Sequence, residues 1–142
     1  MEDSSGFETN YYSGSITVTM TTPAPILTKS LSQSTTALNT TAVYTVTYTN
    51  INAMPSGASF LITYPSMISP STTLSTCSVT VNNVQYSMSC TVSSNTIKVY
   101  GGLTTAVAAG SSISISLGSI TNPVTEIVTP TSMSVTSYTD ST

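Results

Sequence analysis

The sequence predicts an all-β fold: an antiparallel β-sandwich preceded by an N-terminal extension strand. Three observations support this fold class. Apolar and polar residues alternate with a period of two along most of the chain, Thr, Val, Ile and Tyr are abundant, and no stretch has the periodicity of an amphipathic helix. About nine short strands separated by turn residues are typical of an Ig-like β-sandwich.

The first fifty residues predict three strands. Residues 15–20 alternate through Ile16, Val18 and Met20, and the prolines of residues 21–25 then interrupt the pattern. Residues 26–32 form a weaker candidate strand. The strongest candidate is 41–49, which has apolar side chains on one face and threonines on the other; its apolar face consists of Ala42, Tyr44, Val46 and Tyr48.

Four further strands are expected outside the cysteine-containing region. Phe60, Ile62 and Tyr64 alternate until Pro65 ends the strand, and Ile97 and Val99 form another short strand. Residues 111–117 and 132–139 complete the set. The small apolar stretch 103–109 is expected to be a crossing loop or a single turn.

Two cysteines, Cys77 and Cys90, predict one disulfide bond. Residues 77–81 and 86–92 resemble a hairpin in which Val79 lies opposite Met88 and Val81 opposite Tyr86, with residues 82–85 as a four-residue connection. The agreement between the cysteine register and the apolar register favours this pairing. The alternative is a disulfide that joins two sheets, as in many Ig-type sandwiches.

The composition argues against an enzyme. The chain has no His, so a Ser-His-Asp triad cannot form, and two cysteines are too few ligands for zinc.

The lysines, Lys29 and Lys98, are expected to protect sheet edges from solvent-facing positions. No cofactor or metal is expected; a calcium site built from Glu126 and Asp140 is a minor alternative. The carboxylates lie near the two ends: Glu2, Asp3, Glu8, Glu126 and Asp140.

Charge and hydropathy exclude two classes of partner. A net charge of −3 with two lysines gives no basic surface for nucleic acid, and no apolar run approaches the length of a membrane span. A disulfide-capable chain that is rich in Ser and Thr favours an extracellular or cell-surface location. The acidic, polar start at Met1 lacks a secretion signal, so we expect a mature fragment or one repeat of a longer chain.

Glycans are a second expectation for a surface with so little charge. Asn39 begins the single Asn-x-Ser/Thr sequon and precedes the strongest strand, so it is predicted to carry an N-glycan. Residues 21–23 and 69–73 are candidate O-glycan sites. The alternative is ordinary turn chemistry with unmodified side chains.

The two ends of the chain resemble each other. When residues 7–14 are laid over 134–141, Thr9 matches Thr136 and Tyr11 matches Tyr138. One reading is that the chain begins with the final strand of one unit and ends with the final strand of the next. The other is that both are ordinary strands rich in Thr and Tyr. We therefore divide the chain into an extension, 1–14, and a sandwich domain, 15–142.

Five short motifs follow one another along the chain. They are 44–50 (YTVTYTN), 55–57 (PSG), 62–65 (ITYP), 120–123 (ITNP) and 136–140 (TSYTD). In this order they resemble Ig-like repeats of large cell-surface proteins of ciliates and similar protists. The resemblance covers roughly residues 7–140 and implies an extracellular repeat with a structural or adhesive role and no catalytic residues.

Two functions follow as hypotheses. In the first, the module is a building block of an extracellular fibre or surface coat, and its partners are neighbouring copies of itself. An N-terminal assembly strand would add to a sheet edge of the preceding unit; its residues are Phe7, Thr9, Tyr11 and Tyr12. In the second, the module is an adhesin or carbohydrate-binding domain that uses exposed loops and tyrosines. For Tyr44, Tyr48 and Tyr64, strand periodicity favours core packing instead.

Overall fold

The computed structural model describes residues 29–66, 68–124 and 133–138, which form ten β-strands and no helix. The strands are β1 (Lys29–Gln33), β2 (Thr41–Thr49), β3 (Ser59–Thr63), β4 (Ser69–Pro70), β5 (Cys77–Val81), β6 (Val84–Ser87), β7 (Ser89–Ser93), β8 (Thr96–Tyr100), β9 (Ser112–Thr121) and β10 (Ser134–Tyr138). Within this part of the chain, no helix is long and apolar enough to cross a membrane.

The strands form two antiparallel sheets. Sheet I has the order β1-β2-β9-β5-β6, with β4 paired to the end of β9. Sheet II has the order β10-β3-β8-β7. The two sheets pack face to face around one apolar core, so the predicted all-β sandwich is confirmed. Its classification as Ig-like stays a prediction.

The core consists of the side chains that the period-two pattern placed on one face. In β2 the burial alternates along the whole strand, and Ala42, Tyr44, Val46 and Tyr48 are all buried as predicted. The same alternation buries Phe60 and Ile62 of β3 and the inward face of β9. Successive side chains on a strand point to opposite sides of the sheet, which is why one pattern specifies both the core and the outer surface.

The central strand of sheet I is β9, which pairs with β2 on one side and with β5 on the other. Its partners lie about 70 and 35 residues away in sequence, since Thr47 pairs with Ser114 and Thr80 pairs with the same Ser114. The β2–β9 register shifts once, between Ala42 and Tyr44. Strand β9 is also longer than the predicted 111–117 and extends to Thr121.

The predicted hairpin forms, but its predicted register is wrong. Val79 pairs with Tyr86 and Val81 with Val84, and only Asn82 and Asn83 connect the strands. Both asparagines have positive φ, 46° and 71°, which is the backbone of a two-residue hairpin turn. Asparagine tolerates this left-handed region better than most residues, so the tighter turn is available without glycine.

The disulfide between Cys77 and Cys90 is confirmed, with the two Cα atoms 6.0 Å apart. It is not a cross-strand link of the hairpin. Strand β6 ends at Ser87, the chain crosses over at Met88, and Cys90 lies on β7 in sheet II. The bond therefore joins the two sheets, which is the alternative that the sequence left open.

Candidate functional site: the open edge of the sandwich

Ionisable side chains are scarce among the described residues. They include no Asp, Glu or His, and no group of three or more His, Cys, Asp or Glu residues among them could hold a metal ion. The carboxylates of the calcium alternative, Glu126 and Asp140, lie outside the described residues.

One of the two lysines lies on an edge strand as expected and the other does not. Lys29 begins β1, an edge strand of sheet I, as predicted. Lys98 lies on β8, which β3 and β7 flank on both sides, so its predicted role as an edge protector is wrong. Its side chain is half-buried, and Nζ lies 5.5 Å from the centre of the Tyr100 ring. At this distance the ammonium group stabilises the outer face of sheet II by a cation–π contact.

Three tyrosines pack into the core, as predicted. Tyr44, Tyr48 and Tyr64 are buried, and burial raises the pKa of each phenol above its usual value. The Tyr64 hydroxyl donates to the Ser94 carbonyl oxygen at 2.7 Å. These side chains do not form the exposed stacking surface that a carbohydrate-binding module would use.

A buried asparagine that sequence reasoning missed connects three elements. Asn122 accepts a hydrogen bond from the Tyr44 hydroxyl at 2.6 Å, and its Nδ2 donates to the carbonyl oxygens of Thr35 and Ala37 at 2.9 and 2.8 Å. In the sequence this position was singled out only as part of the motif 120–123. The asparagine fixes the β1–β2 loop against the end of β9.

Uncharged hydroxyl groups are the commonest polar groups on the outer face of sheet I. Two rows of polar side chains cross the sheet, and Thr45 and Thr47 of β2 each lie 3.3 Å from a serine hydroxyl of β9. The rows are Ser30–Thr47–Ser114–Thr80 and Ser32–Thr45–Ser116–Ser78. These two rows offer hydrogen-bonding groups and no charged group.

Asn39 lies in the loop between β1 and β2, as its sequon predicted. Its side chain is exposed, its φ is 50°, and its N–H donates to the Pro123 carbonyl oxygen at 3.0 Å. An exposed side chain on a loop held by a main-chain hydrogen bond is accessible for glycosylation. The attachment of a glycan stays a prediction.

Among the described residues the two sheets have four outer strands: β1 and β6 in sheet I, and β10 and β7 in sheet II. On one side, β6 runs directly into β7 and the disulfide joins β5 to β7. On the other side, β1 and β10 are the outer strands, and no covalent bond joins them there within the described residues. We call this second side the open edge.

A groove lies along the open edge between the two sheets. It has a volume of about 130 Å³ and runs from β1 to the start of β10. Its lining is mostly apolar: Leu31, Gln33, Tyr44, Pro65, Ile68, Pro123 and Met133. No sequence pattern pointed to this groove, because its residues come from five separate segments of the chain.

The predicted assembly residues, Phe7, Thr9, Tyr11 and Tyr12, lie outside the described residues, as do the extension 1–14 and the predicted strand 15–20. Their counterparts in the C-terminal match, Thr136 and Tyr138, are exposed on β10 at the open edge. The C-terminal member of the proposed internal match therefore includes an edge strand.

Comparison with protein-family models gives no match for this chain, and comparison with curated proteins gives none either. The likeness to Ig-like repeats of protist surface proteins therefore stays a resemblance of short motifs.

Proposed function

We propose that this protein is a non-catalytic building block of an extracellular fibre or cell-surface coat. Neighbouring units assemble head to tail through β-strand pairing between sheet edges. The disulfide between the sheets supports an extracellular location, because such bonds persist in oxidising compartments. The motif resemblance to repeats of large surface proteins supports the same role.

The observation that carries this proposal is the unprotected edge of β10. Soluble proteins usually protect an edge strand with Lys, Pro, a bulge or a covering element. Strand β10 is Ser-Val-Thr-Ser-Tyr; it has no charge, no proline and no shift in its register with β3. Among the described residues nothing pairs with its other side. Such an edge favours addition of a further strand.

Electron microscopy of the native material tests the proposal. We expect filaments whose axial repeat is close to one domain length. Strand β9 has ten residues, so at about 3.3 Å per residue it spans roughly 33 Å. A repeat on the order of 40 Å, allowing for loops, fits one unit. Native material that contains single particles and no filaments or arrays would exclude this function.

Deletion of residues 1–12 tests the head-to-tail arrangement. We expect the truncated protein to remain folded and to lose association in sedimentation velocity experiments. If the deletion lowers the melting temperature and leaves the oligomeric state unchanged, the segment belongs to its own domain instead.

N-glycosylation of Asn39 is part of the same proposal, because hydroxyl-rich, charge-poor surfaces need another source of solubility. Glycopeptide mass spectrometry of native material should find Asn39 modified. Thr41→Val is the matched control in a eukaryotic host, since it removes the sequon but keeps Asn39, whose positive φ suits asparagine. An unmodified Asn39 peptide as the only native form contradicts this part of the proposal.

A further inference from the structure

We propose that the groove of the open edge is the acceptor site for residues 7–12 of a second copy of this chain, which pair with the free edge of β10. This inference rests on the head-to-tail assembly proposed above and names its two contacting surfaces. Phe7, Thr9 and Tyr11 alternate with polar neighbours, so in a strand they share one face and that face enters the groove.

The first argument is an inward-facing side chain that the described residues leave partly uncovered. Leu31 of β1 pairs with Val46 of β2, and paired residues point to the same face of a sheet. Val46 is only 6% exposed, whereas Leu31 is 44% exposed. An apolar side chain on the core side of a sandwich is normally covered by the opposite sheet, and within 29–66, 68–124 and 133–138 no element covers Leu31 fully.

Sheet II shows the same feature at one position of its own outer strand. Ser137 of β10 pairs with Phe60 of β3, and Phe60 is fully buried while Ser137 is exposed. Val135, two residues earlier on the same face, is partly buried and packs against the core. Among the described residues, the inner faces of β1 and β10 are therefore incompletely covered along the same side, where one more strand would fit.

The groove has the size and the chemistry of an aromatic side-chain site. Its volume is about 130 Å³, and an apolar cavity of about 150 Å³ in a protein binds benzene. Leu31, Ile68 and Met133 supply apolar contacts. Burying a ring there gains about 25 cal/mol for each Å² of apolar surface removed from water. Phe7 and Tyr11 are the side chains of the extension that match this site.

Charge and chain length support the extension, supplied by another copy, as the occupant. Lys29 begins β1, the strand that carries Leu31, whereas the extension carries Glu2, Asp3 and Glu8. Tyr12 and Lys29 are 17 residues apart, so an extended chain of about 3.3 Å per residue spans roughly 56 Å between them. This exceeds the length of β9, and the extension can therefore reach beyond its own domain.

The test uses full-length protein with one damaged surface at a time. Leu31→Glu introduces a carboxylate into the groove and leaves the donor intact, while Tyr11→Asp damages the donor and leaves the groove intact. We expect each variant alone to associate at least about tenfold more weakly than the unmodified chain. Mixed together, they should form a complex of one Leu31→Glu chain and one Tyr11→Asp chain that grows no further, measured by sedimentation velocity.

A matched control separates the groove from general surface effects. Leu38→Glu changes the same residue type at a loop position that is 50% exposed and outside the groove. This variant should associate like the unmodified chain. If Leu31→Glu lowers the melting temperature, Gln33→Glu replaces it, because it adds charge to the groove with almost no change of shape.

The outcomes distinguish this inference from the proposed function. If Leu31→Glu and Gln33→Glu still form full-length assemblies, the groove is not the acceptor, although head-to-tail assembly stands. If the unmodified chain stays monomeric and Tyr11→Asp lowers its melting temperature, the segment occupies its own domain, and both proposals are wrong. If the Leu31→Glu and Tyr11→Asp chains form no mixed complex, residues 7–12 of one copy do not bind the groove of another.

Discussion

Two buried tyrosines of one strand face the core with different hydrogen bonding. The Tyr44 hydroxyl donates to Asn122, whereas the Tyr48 hydroxyl is buried and has no partner among the described residues. Asn50 is intermediate: its Nδ2 donates to two carbonyl oxygens, but its Oδ1 is unpaired in the same part of the chain. A buried polar atom without a partner costs about 1–3 kcal/mol. The paired Tyr44 hydroxyl therefore stabilises the fold, whereas the unpaired Tyr48 hydroxyl destabilises it.

Tyr44→Phe and Tyr48→Phe test this difference with the same chemical change. Tyr44→Phe removes the partner of the Asn122 Oδ1 atom, and we expect it to lower the free energy of unfolding by about 1–3 kcal/mol. Tyr48→Phe removes an unpaired hydroxyl, and we expect it to leave that free energy unchanged or to raise it by up to about 1 kcal/mol. Urea unfolding measures both values. Equal losses in the two variants would contradict the assigned hydrogen bonding.

At the scale of elements, the β6–β7 crossover closes one side of the sandwich. The chain passes from sheet I to sheet II at Met88, whose N–H donates to the Cys77 carbonyl oxygen at 3.0 Å. Gly102 packs so closely against this crossover that a Cβ atom there would overlap the Ser87 carbonyl oxygen and the Met88 sulfur. The disulfide then holds β5 and β7 together, so this side has covalent support that the open edge lacks.

Removal of the disulfide measures that support. The double variant Cys77→Ala/Cys90→Ala should lose about 2–4 kcal/mol of the free energy of unfolding, because a cross-link between residues 13 apart restricts the unfolded chain. Urea unfolding of the reduced unmodified protein should give the same loss. Free thiols in mass spectrometry under non-reducing conditions, or an unchanged midpoint after reduction, would contradict the assignment.

At the scale of the whole molecule, the scarcity of ionisable groups determines the response to pH. The described residues contain no carboxylate side chain, and their buried tyrosines have raised pKa values because burial disfavours the phenolate. A tyrosine in the unfolded chain ionises near pH 10. The unfolded state therefore releases its protons first as the pH rises, and stability falls.

We expect the free energy of unfolding to be nearly constant between about pH 5 and 9 and to decrease above about pH 10. The contribution of each buried tyrosine is complete below pH 10 and is lost as the pH rises through its pKa in the folded protein. Tyr48→Phe should move alkaline unfolding to higher pH, because burial raises the Tyr48 pKa most clearly. Urea titrations at several pH values provide the measurement; an alkaline transition that Tyr48→Phe does not move would contradict it.

Strands with strict alternation could be predicted with their faces. Strands β2, β3, β8 and β9 bury the side chains expected from the pattern, because a period of two specifies which residues share a face. The hairpin register could not be predicted, since a shift of two residues keeps every side chain on its face and only the turn distinguishes the alternatives. Positive φ at Asn82 and Asn83 decided it.

At the candidate site, too, some features follow from the sequence and others only from the tertiary structure. The sequence by itself determined the all-β class, the core faces, the cysteine pair and the near absence of ionisable chemistry, because these follow from composition and from local periodicity. Only the tertiary structure decided that the disulfide joins two sheets, that Lys98 lies on an interior strand, and that Leu31 faces an uncovered groove. Each depends on which distant strands become neighbours, and main-chain hydrogen bonding between strands does not distinguish one partner sequence from another.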